Sequence, residues 1–374
     1  MPHTPILTDR QSIKELAAEL ARETSIAVDL EADSMHSYRE KVCLLQFSTP
    51  QRTVLVDPLA VDDLSELKPV LADASIRKIF HAADYDMRCM YRDFGFEVRG
   101  LFDTMIACQF LGEEKVGLAD VLNKYYEVEL DKKYQRADWS VRPLESEMIR
   151  YAAEDTRHLH RLAALLEEKL FEKGRRDWVA EEFTLLEQVR FSESDGPMFA
   201  RIKGAGKLDP RQLAILEGLL HWRDEEARRR DRPPFKVVGN RQLLEVARHA
   251  PQSLRALVGL EGVFPRMVDR YGRDMLKQVE KALAIPGEEL PVFPRAEVRR
   301  RSEEAKNRLA KLKEWRRIKA RELDLEPGVL INNALLESLA DDLPATDEEL
   351  SEASGMKDWQ RRVLGDEILQ ILAG

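Results

Sequence analysis

Five side chains in this sequence could work together on a phosphodiester: Asp29 and Glu31, Asp86, and the pair Tyr151 and Asp155. Carboxylates offer hard oxygen ligands, which suit Mg2+ or Mn2+. Two such ions about 3.5 to 4 Å apart can make water more acidic and stabilise a leaving oxygen. Asp29 and Glu31 lie in the apolar run Ser25-Ile-Ala-Val-Asp-Leu-Glu31. On a strand, residues two apart share a face about 7 Å apart along the chain, so Val28 and Leu30 take the opposite face. With 68 acidic residues among 374, acid-x-acid pairs recur about a dozen times by chance. The apolar context sets this pair apart, because burying two carboxylates is costly unless a cation neutralises them.

The elements that would hold the other three are also readable. Arg77 to Met87 reads as a strand that breaks after Phe80 into a polar turn and then a helix, with Asp86 in its first turn. An acid there also has a capping explanation, with Asp84 as the cap and the helix dipole favouring negative charge. Tyr151 and Asp155 are four apart in a helix read from Leu144 to about Lys173. They share a face, while Glu154 is turned away. Alone, that pair reads as a local structural contact on a partly buried helix.

Taken together, the segments resemble the three exonuclease motifs of the DEDD superfamily, in its tyrosine-containing branch, and above all the ribonuclease D family. The first motif is matched by Val-Asp-Leu-Glu at 28–31, the second by His-Ala-Ala-Asp-Tyr-Asp at 81–86, and the third by Tyr-Ala-Ala-Glu-Asp at 151–155. Gly-Leu-Ala-Asp at 117–120, Glu-Leu-Asp-Lys at 129–132 and Gln-Arg-Ala-Asp-Trp-Ser-Val-Arg-Pro-Leu at 135–144 also look like family sequence, and the likeness spans roughly residues 20–170. Ala follows Glu31 where an aromatic residue is usual. Of the doubled acids, Asp86 rather than Asp84 aligns with the family's aspartate.

The resemblance implies two divalent ions per active site. Asp29 bridges both, Glu31 and Asp155 complete the site that holds the attacking water, and Asp86 holds the second ion through water. Tyr151 orients the nucleophile; a phenol with a reference pKa of about 10 is a poor base at neutral pH. Gln46 resembles a position that contacts the terminal nucleotide, although a buried Gln tying strands together is an equal reading. His81 could touch substrate or be a satisfied core residue. Lys132, Arg136 and Arg142 could line a phosphate path.

Short apolar runs at 26–30, 42–48, 53–57 and 77–81 read as strands and later segments as helices, which fits an α/β ribonuclease-H-like exonuclease domain over 1–191. Residues 192–207 read as a linker. Residues 208–285 resemble an HRDC domain, with Leu213, Leu216, Leu219 and Trp222-Arg223 as its first helix, opened by Asp209-Pro210. Asn240 is expected to cap a later helix. A second linker at 286–296 leads to 297–374, read as a second HRDC-like all-α module.

Net charge is −9, but Arg299 to Arg321 holds eleven Lys or Arg against three Glu, a candidate footprint for phosphate or a solvated helix face. Three cysteines with no metal spacing suit a reducing, cytoplasmic setting, and the N-terminus suggests neither export nor membrane insertion. The expected function is a metal-dependent 3′–5′ exoribonuclease that trims structured RNA such as tRNA precursors and releases nucleoside 5′-monophosphates. A 3′–5′ DNA exonuclease with the same ligands and a catalytically dead RNA-binding scaffold are the alternatives.

Overall fold

The period-two apolar runs pair into one sheet because each has a face to bury. In the computed structural model, which describes residues 4–192, 196–294, 301–353 and 355–373, the strands are β1 (Ile6–Leu7), β2 (Ser25–Ala32), β3 (Val42–Ser48), β4 (Thr53–Val56), β5 (Arg77–Phe80) and β6 (Leu101–Asp103). Their order is β1-β4-β3-β2-β5-β6. Strand β2 lies inside the sheet, antiparallel to β3 and parallel to β5, with Asp29 opposite Gln46 and Glu31 opposite Leu44. Two strands escape sequence reading, since β1 and β6 are only two and three residues long.

Eight helices surround the sheet: α1 (Arg10–Leu20), α2 (Lys68–Ala72), α3 (Asp84–Phe94), α4 (Thr104–Leu111), α5 (Leu118–Tyr126), α6 (Ser146–Arg157), α7 (Leu159–Glu172) and α8 (Arg176–Leu186). The helix expected over 144–173 is therefore two. It breaks at His158, so α6 can cover β3 through Ala152 and a Thr156–Ser48 hydroxyl bond of 2.7 Å, while α7 turns Leu162 and Leu166 into the main core. Asp84 is not a cap: it is the first residue of α3, and its carboxylate pairs with Arg88 on the surface at 2.9 Å.

The chain forms two compact units. In the first, the sheet and its helices share a hydrophobic core with the C-terminal helices α14 (Glu303–Glu322), α15 (Pro327–Leu330), α16 (Asn333–Asp342), α17 (Asp347–Glu352) and α18 (Asp358–Ala373), which come after the helices of the second unit in the chain. Trp359 of α18 is fully buried, stacked on Trp178 at 5.0 Å and set edge-on to Phe110 at 5.4 Å. Glu182 accepts from the Trp359 indole at 2.8 Å and from Lys357 at 2.6 Å. Arg175 donates to the carbonyls of Phe110 and Leu323. Gly112, at φ +83°, lies so close to the Asp324 carbonyl that a Cβ would collide with it. The last module thus shares the nuclease unit's core.

The second unit holds α9 (Pro210–Arg229), α10 (Pro234–Val237), α11 (Asn240–His249), α12 (Leu254–Val258) and α13 (Pro265–Leu283), together with Asp33–Lys41. Asp209 and Gln212 form a reciprocal capping box at the start of α9. The stretch expected as linker contributes Phe199, Ile202 and Ala205 to this unit's core; its residues 193–195 lie outside the described residues. Asn240 does not cap α11. Gly239 holds the cap position without any side-chain cap, and Asn240 Oδ1 instead accepts from Arg223 at 2.7 Å. Tyr38 donates to Asp224 at 2.7 Å, and its ring lies beneath Arg228.

Much of the basic stretch on α14 is answered locally. Arg301 pairs with Asp341 and Glu337, Arg317 with Glu314, and Lys319 with Glu367, while Arg308 and Arg316 donate to backbone carbonyls. Lys311, Lys313 and Arg321 stay exposed; Arg299 and Arg300 lie outside the described residues.

A chain ending at Ser192 would leave Trp178 and Phe110 facing water. It is expected to melt well below the full chain or to aggregate, and Trp359→Ala in the full chain to cost about 3–5 kcal/mol in denaturant unfolding. An unchanged melting temperature for the shortened chain would show that α14–α18 are dispensable to the nuclease unit.

Candidate active site

The strand β2 delivers Asp29 and Glu31 to one side of the sheet, and α6, packed across that side, delivers Tyr151 and Asp155 one turn apart. Ligand oxygens of Asp29, Glu31 and Asp155 come within 4.8 Å of one another, all three residues being half-buried. Asp86, 6% exposed, enters from the first turn of α3 close enough to push against Asp29 and Glu31.

Burial raises the pKa of all four carboxyls, and their mutual charge adds to the effect for Glu31, Asp86 and Asp155; Asp29 is pushed up to about 7. The Tyr151 phenol bonds the Asp155 carboxylate, which pulls Asp155 the other way, and burial followed by the neighbouring carboxylates pushes the phenol itself upward. A neutral Tyr151 can position a water but is a weak proton acceptor. Its ring is held by Tyr134 and Trp139, each with its centroid 5.9 Å away, and Tyr134 is tied to Glu147 at 2.8 Å.

A cavity of about 450 Å3 opens over the carboxylates, lined also by His81, Leu118, Gln135 and Arg136. A second, of about 310 Å3, adjoins it, because Tyr151 and Asp155 line both. Lys132 is exposed and lines neither. Gln46 is fully buried beside Asp29. His81 places Nδ1 2.8 Å from the Thr104 hydroxyl and has its pKa lowered, chiefly by burial.

Arg142, expected along a phosphate path, is engaged within the fold. Its guanidinium grips Asp57 through two bonds of 2.6 and 2.8 Å and donates to the carbonyls of Cys43, Trp139 and Val141. Its charge and donors hold the 139–142 loop to the sheet.

Sequence reading missed Asp103. Its buried carboxylate caps α4 by accepting from Met105 and Ile106, and also accepts from Ala82 at 3.1 Å and Ala83 at 2.7 Å. Those bonds hold the turn before α3, where Ala82 adopts φ +68°, and so set the approach of Asp86. An Asp-Thr pair closing the apolar Leu101-Phe102 is a readable cap signal, but its second pair of donors is not.

A sheet strand carrying two carboxylates and a helix bringing a third together with a tyrosine define the site of a 3′–5′ exonuclease, and the comparisons agree. The family described as 3′–5′ exonuclease matches residues 5–171, and the HRDC domain matches 212–279 and 305–372. Ribonuclease D of Gluconacetobacter diazotrophicus is 30% identical across the whole of this chain and 94% of its own length. That of Pseudomonas paraeruginosa is 29% identical over 99% of this chain and 98% of its own. The Escherichia coli RNase D crystal structure, an exoribonuclease involved in structured RNA processing, superposes with a TM-score of 0.75 at 26% identity over 100% and 99% of the two chains. The catalytic core of Trypanosoma brucei RRP6 superposes at 0.65 with 32% identity, over 77% and 81%.

The chain belongs to the ribonuclease D family. It is a 3′–5′ exoribonuclease, and a DNA exonuclease is not favoured. The acidic cluster and the exonuclease match point to divalent metal dependence. No helix among the described residues is long and apolar enough to cross a membrane.

An acid whose pKa is raised on folding binds its proton more tightly in the folded state, so stability is greatest below its ordinary value and falls as pH rises towards the folded value. For Asp29 that window runs from 3.8 to about 7. In metal-free buffer, Asp29→Asn is therefore expected to melt several degrees above the wild type at pH 8 and to show little advantage at pH 4. Thermal scans at both pH values check this, and an equal gain at both would remove the buried charge of Asp29 as the cause.

Proposed function

We propose that Asp29, Glu31, Asp86 and Asp155 hold two divalent ions, Mg2+ or Mn2+, and that the enzyme hydrolyses the last phosphodiester of an RNA chain to release nucleoside 5′-monophosphates. What carries the reading is the convergence of three carboxylates within 4.8 Å, with a fourth buried behind them and every one raised in pKa by burial. An all-oxygen set of this charge fits a hard cation, since ion binding would offset the repulsion that folding imposes. Bound ions would supply the Lewis acidity that activates water and stabilises the leaving 3′-oxygen.

The protein's own groups then have distinct tasks. The charge of Asp29 acts on Glu31, Asp86 and Asp155 alike, so Asp29 would be the shared ligand and the other three would complete the set. Tyr151, fixed by Asp155, Tyr134 and Trp139, would orient the attacking water along the scissile bond. His81 and Arg136 line the same cavity and would meet the terminal nucleotide and its phosphate. Structured RNA, tRNA precursors among it, is the proposed substrate class. Two HRDC matches and the description of the Escherichia coli homologue support that choice, and a cytoplasmic setting suits it.

RNA labelled at its 5′ end, with and without a 3′-phosphate block, tests the reaction. After chelation and re-addition of Mg2+, stepwise shortening of the unblocked strand alone is expected, faster on an end-extended tRNA precursor than on its DNA counterpart. Asp155→Asn should slow it at least about a thousandfold. Shortening in chelator, or an active Asp155→Asn, would overturn the ligand assignment.

The two acids of the middle segment separate cleanly. Asp86→Ala should cost far more turnover than Asp84→Ala, because Asp84 is occupied with Arg88 at the surface. Steady-state rates at saturating Mg2+ decide it, and the reverse order would assign the ligand role to Asp84.

A further inference from the structure

Gln46 is completely buried, yet neither its side-chain oxygen nor its nitrogen has a hydrogen-bond partner. A primary amide can donate twice and accept twice, and leaving those groups unpaired in the interior forfeits the solvation they had in water. The large majority of buried polar groups are paired, so an amide with both ends unpaired points to a missing partner. The surrounding residues show where that partner belongs. Alternation along β3 puts Leu44, Gln46 and Ser48 on one face. Leu44 packs with Ala152 of α6, and Ser48 bonds Thr156 of the same helix. Gln46 therefore lies between these two contacts, beneath the turn of α6 that carries Asp155. Across the ladder it is paired directly with Asp29, and facing residues on antiparallel strands have Cβ atoms about 5 Å apart on the same side.

We propose that Gln46 is a positioning residue for the carboxylate cluster, with an amide that finds its partners when a divalent cation and its water shell occupy the site. One arm of the amide can then orient the Asp29 carboxylate and the other can bond the ion's water. This inference rests on the ligand reading of Asp29, Glu31 and Asp155 given above, and it gives Gln46 a task other than contact with the terminal nucleotide. It also makes the residue a burden to the metal-free protein. A strand-tying glutamine would have the opposite effect, because its removal would weaken the fold whether or not ions are present.

Gln46→Met keeps the length and apolar bulk of the side chain and removes the amide; Gln46→Leu does so with a branched chain. In the full-length protein, two quantities are measured for each: the melting temperature in chelator, and Mn2+ affinity by electron paramagnetic resonance of the free ion below the onset of melting. The expected result is an equal or higher metal-free melting temperature together with about tenfold weaker Mn2+ binding. A lower metal-free melting temperature in both variants, or unchanged Mn2+ affinity in both, overturns the proposal. Asp29→Asn serves as the reference. If it binds Mn2+ like the wild type, the ligand reading itself falls; if it loses the ion while both Gln46 variants keep wild-type affinity, only the role of Gln46 falls.

Discussion

Four carboxylates that repel one another are held in a partly buried cleft, and the rest of the nuclease unit is arranged around keeping them there. Folding alone would push such groups apart or protonate them. Here the restraint is structural. Asp29 and Glu31 ride on an interior strand with neighbours hydrogen-bonded on both sides, and Asp155 rides on a helix pinned to that sheet by Thr156 and Ser48. On the proposed ligand reading, the repulsion within the cluster is what a bound cation would relieve. An arrangement that costs the metal-free fold stability returns it when positive charge arrives.

Supporting groups lie at some remove from the chemistry, and each acts by fixing a backbone. Asp103 organises the turn ahead of Asp86, and Arg142 clamps the 139–142 loop that carries Trp139 onto Tyr151. Asp103 is an acid and Arg142 a base within reach of a nucleic-acid enzyme's site, so residue type alone would nominate either for substrate or metal. Their hydrogen-bond capacity is already spent on main-chain groups and on Asp57.

The C-terminal helices qualify the idea of a nuclease followed by two detachable binding modules. Although residues 305–372 match the HRDC domain, as do residues 212–279, the later copy buries Trp359 against Trp178 and shares the core of the sheet domain. Its Trp359 and Lys357 donate to Glu182 of the nuclease, and part of the charge on α14 is answered within the module. The earlier copy has a core of its own. Two repeats of one domain type have thus been put to different structural uses.

Local spacing was enough to show that Asp29 and Glu31 share a strand face, that Tyr151 and Asp155 share a helix face, and that an α/β layer precedes a helical region. Those relations follow from backbone periodicity, which acts over a few residues and needs no knowledge of the fold. The convergence of strand and helix within 4.8 Å, the dual capping by Asp103 and the capture of Arg142 by Asp57 each join residues tens of positions apart. No local pattern encodes such pairings, because they exist only once the core has closed and hydrophobic packing has chosen which side chains meet. The same reason hid β1 and β6, too short to declare a period, and the attachment of the last module, whose buried Trp359 looks in sequence like any other core tryptophan.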